Sequence, residues 1–417
     1  MQDEWKQGSK LLVANGLFVV ATFALHVLLA RSLGVEGNAD WTALWALILL
    51  VSSLFPSVVL VLARYVARYA ADGDVSLARA FARRAAVVAL FGGLALGGLV
   101  HYARGTLEQW LNLPDVFAVE LVALFLAFSF VLAYVRGVME GLQSFSRLAF
   151  NIGLEGALRL VLGAALVAAG WGVHGLLGGY VIAAAAPIFT GGRFLARHEI
   201  DLFGGTRSSI LPAGWLREAA GFVWPVLITH LLVVTWTNVD MLLIKRFADK
   251  HTAGLYGMLF VAGKMMLFVS EALASVMIPK VAAAHRTGGD ERGPLLRTAG
   301  ILVAFCVTAL VIGTVLPRKL VVFFYGEAFA PAAAWVPIYL VAAAAVSLAV
   351  FAAKAHLARG RVGFVLSLAA GTGVVALVVW LAWPWVPVVV SALAVVGLAL
   401  MVALWAPLWR LPKGKQP

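Results

Sequence analysis

The residues of this sequence that are best suited to chemistry are ionisable and amide side chains inside long apolar runs. One run carries Asn151, Glu155 and Arg159, which are spaced four residues apart and therefore share one face of a helix. A charged side chain at the centre of a bilayer costs roughly 2.5–3.5 kcal/mol, so such groups usually face a bundle interior or a water-filled cavity. The stripe predicts either a buried structural pair, Glu155 with Arg159, or a site of ion coupling or substrate contact.

A second run carries Lys264 and Glu271, seven residues apart and on one helix face. At 1.5 Å of rise per residue they are about 10 Å apart along the axis, too far for a direct bond. No acid stands three or four residues from Lys264. Its ammonium group therefore needs an anionic ligand or an acid on another helix, unless the side chain reaches towards the membrane surface.

Two further runs carry similar polar stripes. The first holds Asn15, Thr22 and His26, and the seventh holds His230 and Thr237, with Asp240 near its outer end. Lone Thr and Asn side chains in membrane helices mostly bond neighbouring helices. The two histidines are open to two interpretations, a satisfied interior residue or a titrating group on a cavity wall.

Several chemistries leave no signature in the chain. The sequence has no Walker-A phosphate loop, no His-Glu-x-x-His and no Cys-x-x-Cys pattern, and its single cysteine is Cys306. We therefore predict no metal site, no cofactor and no catalytic residues.

The composition defines the class of protein that must position these groups. Of the 417 residues, 63% are hydrophobic and only 12% are charged, and the mean hydropathy is +0.96. Soluble domains carry about twice this fraction of charge. An all-α polytopic membrane protein is predicted; a β-barrel is excluded because the apolar runs are too long and do not alternate with polar residues.

Twelve apolar runs are long enough to cross a membrane as helices. They lie at about 11–30, 41–62, 85–101, 116–135, 148–169, 174–190, 218–239, 253–276, 299–316, 331–352, 362–381 and 387–409. With a cytoplasmic N-terminus, 23 of the 32 Lys and Arg residues fall on the cytoplasmic side and 7 outside. This bias predicts that both termini are cytoplasmic, and it explains the net charge of +12 without a nucleic-acid partner. No cleavable signal peptide is expected, and the inner membrane of a bacterium is the predicted location.

The chain divides near its middle. A Gly- and Arg-rich stretch predicts an N-terminal six-helix lobe at 1–195, a cytoplasmic linker at 196–216 and a C-terminal lobe at 217–417. At an offset of 215 residues, Thr22 aligns with Thr237 and Arg31 with Arg246. Two lobes of the same orientation, related as parallel repeats, are typical of alternating-access transporters.

Several motifs carry a family resemblance when taken in order. They are Ala-Arg-Ser-Leu-Gly at 30–34, Arg-Gly-Val-Met-Glu-Gly-Leu-Gln-Ser-Phe at 136–145, Val-Asp-Met-Leu-Leu-Ile-Lys-Arg-Phe at 239–247, Ala-Gly-Leu-Tyr at 253–256 and Ile-Pro-Lys at 278–280. Together they resemble the Wzx-type oligosaccharide flippases of the MOP exporter superfamily, over roughly residues 5–360.

The resemblance implies a function and a site. It implies that spans one, two, seven and eight line a central cavity, and that the substrate is a lipid-linked, usually undecaprenyl-pyrophosphate-linked, oligosaccharide. Lys264 is then the first candidate for the diphosphate, and the other candidate cavity residues are Asn15, Thr22, His26, His230 and Thr237. Expected partners are membrane lipid, a coupling ion (H⁺ or Na⁺) and polysaccharide-assembly proteins.

Two alternatives stay open from the sequence. A drug/cation antiporter of the same superfamily would have a cavity dominated by acids, whereas spans one, two, seven and eight offer Lys264 and two histidines against Glu271 and Asp240. A membrane-embedded polymerase or ligase would need a sizeable outer loop. The longest outer loop, about 101–115, is too short to favour that enzyme.

Overall fold

Each apolar run folds as a helix because the hydrocarbon core offers no water to satisfy exposed backbone groups. The computed structural model describes residues 2–72, 75–197, 215–382 and 385–409; the side chains of 2–15, 75, 215–220, 222 and 225 are outside the description. The described residues form helices joined by short turns, and no strand occurs among them.

Fifteen α-helices are described in chain order. They are α1 (Gln2–Ser52), α2 (Phe55–Ala71), α3 (Val75–Tyr102), α4 (Arg104–Trp110), α5 (Phe117–Gly141), α6 (Phe145–Leu166), α7 (Gly172–Arg197), α8 (Trp215–Trp236), α9 (Val239–Phe247), α10 (Lys250–Thr287), α11 (Arg292–Val315), α12 (Pro317–Tyr325), α13 (Val336–Ala358), α14 (Phe364–Ala382) and α15 (Val386–Trp409).

The predicted all-α membrane fold is confirmed. Ten helical stretches among the described residues are long and apolar enough to cross a membrane. Two of them, Gly16–Ala71 with 56 residues and Phe145–Arg197 with 53, are long enough for two crossings each. The first is interrupted by a kink at Gly34, whose φ of 70° lies in the left-handed region that favours glycine. The twelve predicted spans are thereby accounted for.

The chain forms two compact units. Unit 1 comprises residues 1–32 and 47–230, and unit 2 comprises residues 33–46 and 231–417. The segment Leu33–Ala46, in the middle of α1, thus belongs to the unit built from the C-terminal helices. The lobe boundaries predicted from the sequence follow chain order and stay a prediction, and most of the predicted linker lies outside the described residues.

Small residues allow the helices of each unit to pack closely. In unit 2, α13 buries a row of alanines that includes Ala345, Ala349, Ala352 and Ala353, which suits close helix approach in a membrane. In unit 1, an aromatic cluster of Tyr65, Tyr69 and Phe81 packs α2 against α3. These two cores hold the helices that carry the buried charges described next.

Candidate functional site

Unit 1 contains a buried charge cluster built on α5 and α6. Glu155 of α6 is 1% exposed, and each of its carboxylate oxygens contacts a different arginine. Arg136 Nη2 of α5 lies 2.5 Å from Glu155 Oε2, and Arg159 Nη2, one turn further along α6, contacts Oε1. The predicted Glu155–Arg159 pair is therefore present, with a second guanidinium group on the same carboxylate. We call Arg136, Glu155 and Arg159 the unit 1 triad.

Asn151 fixes the triad to a third helix. Its Oδ1 accepts a hydrogen bond from Arg136 Nε at 3.0 Å, and its Nδ2 donates to the carbonyl oxygen of Pro187 in α7 at 2.8 Å. Asn151 is 1% exposed, so leaving its amide unpaired would be costly. The predicted stripe of Asn151, Glu155 and Arg159 is thus a single hydrogen-bonded structure on α6.

Aromatic rings surround Arg159, one member of the triad. The Arg159 guanidinium carbon lies 5.2 Å from the ring centre of Phe18, 5.0 Å from that of Phe125 and 4.5 Å from that of Tyr180. Ring faces attract a cation but do not neutralise its charge. The three rings therefore hold the Arg159 guanidinium group in place without compensating its charge.

Sequence reasoning missed the role of Arg136. The predicted apolar run ends near residue 135, so the sequence places Arg136 in the cytoplasmic connection that follows it. The helix α5 continues to Gly141, which places Arg136 inside it. The signal in the sequence was the absence of proline from 117–141, which lets the helix continue past the apolar run.

Unit 2 contains a second buried polar cluster where span seven is broken. Helix α8 ends at Trp236 and α9 begins at Val239. Such a break leaves backbone carbonyls without helical partners. Lys264 of α10 supplies one partner, because its Nζ donates to the carbonyl oxygen of Thr237 at 2.5 Å.

An acid lies beside Lys264. Asp240, in the first turn of α9, lines the same cavity as Lys264 and attracts its ammonium group electrostatically. The Tyr256 hydroxyl donates to Asp240 Oδ2 at 2.5 Å, while Asp240 Oδ1 accepts no hydrogen bond from the described residues. Lys264 and Asp240 are 4% and 5% exposed. Of the interpretations left open for Lys264, an acid on another helix matches this geometry.

The cavity beside Lys264 is small. Its volume is about 40 Å³, which accommodates about three water molecules. Phe260, Tyr339 and Leu393 are among its walls.

The remaining predicted residues contact neighbouring side chains or backbone carbonyls. Glu271 pairs with Lys354 of α13, in keeping with the predicted lack of a direct bond to Lys264. His26 is fully buried, and its Nδ1 lies 2.7 Å from the Thr22 carbonyl oxygen. The Thr22 hydroxyl donates to the carbonyl of Phe18 at 2.8 Å.

The predicted cavity residues divide between the two units. Thr22, His26 and His230 belong to unit 1, whereas Thr237 and Lys264 belong to unit 2, where they meet. His230 is half-buried in α8. The side chain of Asn15 lies outside the described residues.

A third charge cluster escaped sequence reasoning. Asp40, which is 4% exposed, lies 2.7 Å from Lys245 Nζ and 3.0 Å from Lys250 Nζ. Both lysines are among the seven charges that the sequence places outside, yet Lys245 is only 2% exposed. The partners are more than 200 residues apart in the chain, so no local spacing could reveal them. Within the described ranges, no group of three or more His, Cys, Asp or Glu residues is placed to hold a metal ion.

Comparison with known families and structures gives a consistent picture. A family model described as polysaccharide biosynthesis protein matches residues 73–334. No curated protein sequence matches the chain.

Solved membrane transporters share the fold. One is an inward-facing multidrug resistance transporter of the MATE family in the MOP superfamily, with a TM-score of 0.74, 14% identity, and coverage of 95% of this chain and 94% of that chain. Another is the lipid II flippase MurJ in an inward closed conformation, with a TM-score of 0.73, 13% identity, and coverage of 96% and 88%. The fold resemblance to the MOP superfamily, first seen in the sequence motifs, is confirmed.

A third match is described by the polarity of its binding pocket. It is a MOP superfamily transporter from Pyrococcus furiosus, described as having a pocket of reverse polarity that suggests a different function. Its TM-score is 0.69 at 13% identity, with coverage of 96% of this chain and 92% of that chain. At these identities the likeness establishes the fold, which this chain shares with these membrane transporters.

Proposed function

The chain belongs to the family of polysaccharide biosynthesis proteins, and from this premise we propose that it is a flippase for a lipid-linked oligosaccharide. The family match over residues 73–334 is the observation that carries the proposal. Polysaccharide biosynthesis includes a transport step that suits a protein with this fold. A saccharide assembled on a lipid carrier at one membrane surface must cross to the other, and its sugar and charged groups cannot cross the hydrocarbon core unaided.

Alternating access supplies a mechanism for this step. A polar head group enters a protected space from one side and leaves on the other, while the apolar tail of the carrier stays in lipid. Undecaprenyl pyrophosphate is the carrier we propose. The driving force we propose is a gradient of H⁺ or Na⁺ or the removal of product by assembly proteins.

The charge bias supports a location and an orientation. The sequence-based count puts 23 of 32 Lys and Arg on one side, and 22 remain there when Arg136 is assigned to α5. The positive-inside rule therefore favours cytoplasmic N- and C-termini in a bacterial inner membrane. In this orientation the connections that follow α2, α5 and α10 face the cytoplasm.

The buried charges favour this function over a drug/cation antiporter. The unit 1 triad contains two cations and one carboxylate, Asp40 lies beside two lysines of which Lys245 is also near Glu36, Glu271 pairs with Lys354, and Asp240 lies beside Lys264. None of these four clusters of described residues has an excess of acid. A cation-binding site would need one, whereas an anionic substrate suits an excess of positive charge.

Gene deletion tests the proposal. Cells that lack the protein should lose surface polysaccharide and accumulate the complete lipid-linked saccharide, because synthesis continues while export stops. Re-expression of the wild-type chain should restore both. Normal polysaccharide in the deletion strain, together with increased sensitivity to cationic drugs, would favour the antiporter instead.

A further inference from the structure

The unit 1 triad carries an excess of positive charge. Glu155 is the only carboxylate among the described residues that forms an ion pair with Arg136 or Arg159. Two guanidinium groups and one carboxylate leave about one positive charge uncompensated, since arginine stays protonated in proteins. A net charge within a membrane span is costly and points to a ligand or a water-filled space.

The triad also keeps unused donors. Arg159 Nε is buried and donates to no acceptor among the described residues. The side chains of Arg136 and Arg159 remain 21% and 15% exposed, whereas that of Glu155 is 2% exposed. The carboxylate is therefore enclosed, and the side chains of the two arginines are the more exposed part of the cluster.

We propose that the unit 1 triad binds the diphosphate of the lipid-linked substrate, with Arg136 and Arg159 as the contacts and Glu155 as the positioning residue. This inference rests on the proposed function. A guanidinium group presents paired N–H donors that match phosphate oxygens. Glu155 and Asn151 hold Arg136, while Glu155 and the three aromatic rings hold Arg159, so little side-chain entropy is lost on binding.

Lys264 fits this role less well. Asp240 lies beside it and attracts its ammonium group, and the two residues line the same cavity of about 40 Å³. Glu155 balances one of the two arginines and leaves the other charge for the ligand. A net charge of about +1 rather than +2 also allows the diphosphate to be released, and a transporter must release its substrate as well as bind it.

Binding to the purified full-length protein in detergent tests the triad. The probes are undecaprenyl diphosphate and the uncharged alcohol undecaprenol. Arg159→Met leaves a balanced Arg136–Glu155 pair, so it should fold while weakening diphosphate binding about 10- to 100-fold and leaving alcohol binding unchanged. Glu155→Gln adds a positive charge and should tighten diphosphate binding. Arg193→Met is the control, because Arg193 is an exposed arginine of the same unit that lies against Phe189.

The outcomes separate this inference from the proposed function. If wild type prefers the diphosphate and Arg159→Met binds it equally well, the triad is not the anchor, although the substrate class stands. If wild type binds both probes equally, the proposed substrate class itself fails. Should Arg159→Met not fold, Arg136→Met gives the same test, because it leaves the balanced Arg159–Glu155 pair.

Discussion

Lys264 and Asp240 line the same cavity, and Asp240 attracts the Lys264 ammonium group, so their mutations should not be additive. Removing the acid beside a buried ammonium group leaves that charge without its compensating neighbour, which is costly. We expect Asp240→Asn to lower the stability of the purified protein by about 3 kcal/mol, whereas Asp240→Asn with Lys264→Met should cost much less. Thermal unfolding in detergent measures both.

The same double variant tests the substrate role first predicted for Lys264. Because the pair is balanced, we expect cells that carry only this variant to keep most of their surface polysaccharide at equal protein level in the membrane. Loss of polysaccharide at normal protein level would return the phosphate-binding role to Lys264.

For individual residues, the sequence predicted only the contacts within one helix. The spacing of Glu155 and Arg159 predicted their pairing, because residues four apart on a helix are neighbours. The partners on other helices, Arg136 for Glu155 and Asp240 for Lys264, depend on helix packing that no spacing encodes.

Among the elements, the segment Leu33–Ala46 is held against α10 by unusually close packing. A Cβ added at Gly254 would lie 1.8 Å from the carbonyl oxygen of Val35, and one at Gly257 would lie 2.3 Å from Thr42 Oγ1. The Asn38 amide also donates to the Gly254 carbonyl at 2.8 Å. The two glycines allow this contact because they lack side chains.

Gly254→Ala should therefore destabilise the protein. The Cβ would meet backbone, which cannot move aside as a flexible side chain can, and such overpacking costs about 1–3 kcal/mol. Gly300→Ala is the matched control, because Gly300 lies in α11 of the same unit with no neighbouring atom within 4 Å of an added Cβ. In thermal unfolding the control should be neutral or slightly stabilising; an equal loss in both variants would contradict the packing explanation.

The kink in α1 shows why this arrangement was not predictable. The motif at 30–34 includes Gly34, but a glycine in an apolar run is compatible with a straight helix. The left-handed φ of Gly34 is seen only in the folded backbone, and Asp40 pairs with Lys245, which is more than 200 positions away. Hydropathy located the spans, whereas the grouping of residues 33–46 with unit 2 required the structure.

For the whole molecule, the charge bias predicts a topology that labelling can test. Thr106 in α4 and Thr287 at the end of α10 are both exposed, and they fall in outer and inner connections, respectively. With Cys306 replaced by alanine, Thr106→Cys should react with a membrane-impermeant maleimide in intact cells, and Thr287→Cys should react only after the cells are lysed. The reverse labelling would overturn the orientation.

For the whole molecule, composition and hydropathy were enough to predict the class of fold. An apolar fraction of 63% in twelve runs predicted an all-helical membrane fold, because lipid leaves the backbone little alternative. The substrate is harder to predict, since it depends on a few side chains within a fold that serves several kinds of transporter.

Transport by the purified protein tests the central claim most directly. The full-length chain is reconstituted in vesicles that contain a fluorescent undecaprenyl-pyrophosphate-linked oligosaccharide, and an impermeant quencher is added outside. The fluorescence protected in protein-free vesicles should be lost when the protein moves the labelled saccharide between leaflets, and Arg159→Met should slow this loss. Protection equal to that of protein-free vesicles, from wild-type protein shown to be folded and under an imposed H⁺ or Na⁺ gradient, would contradict the flippase.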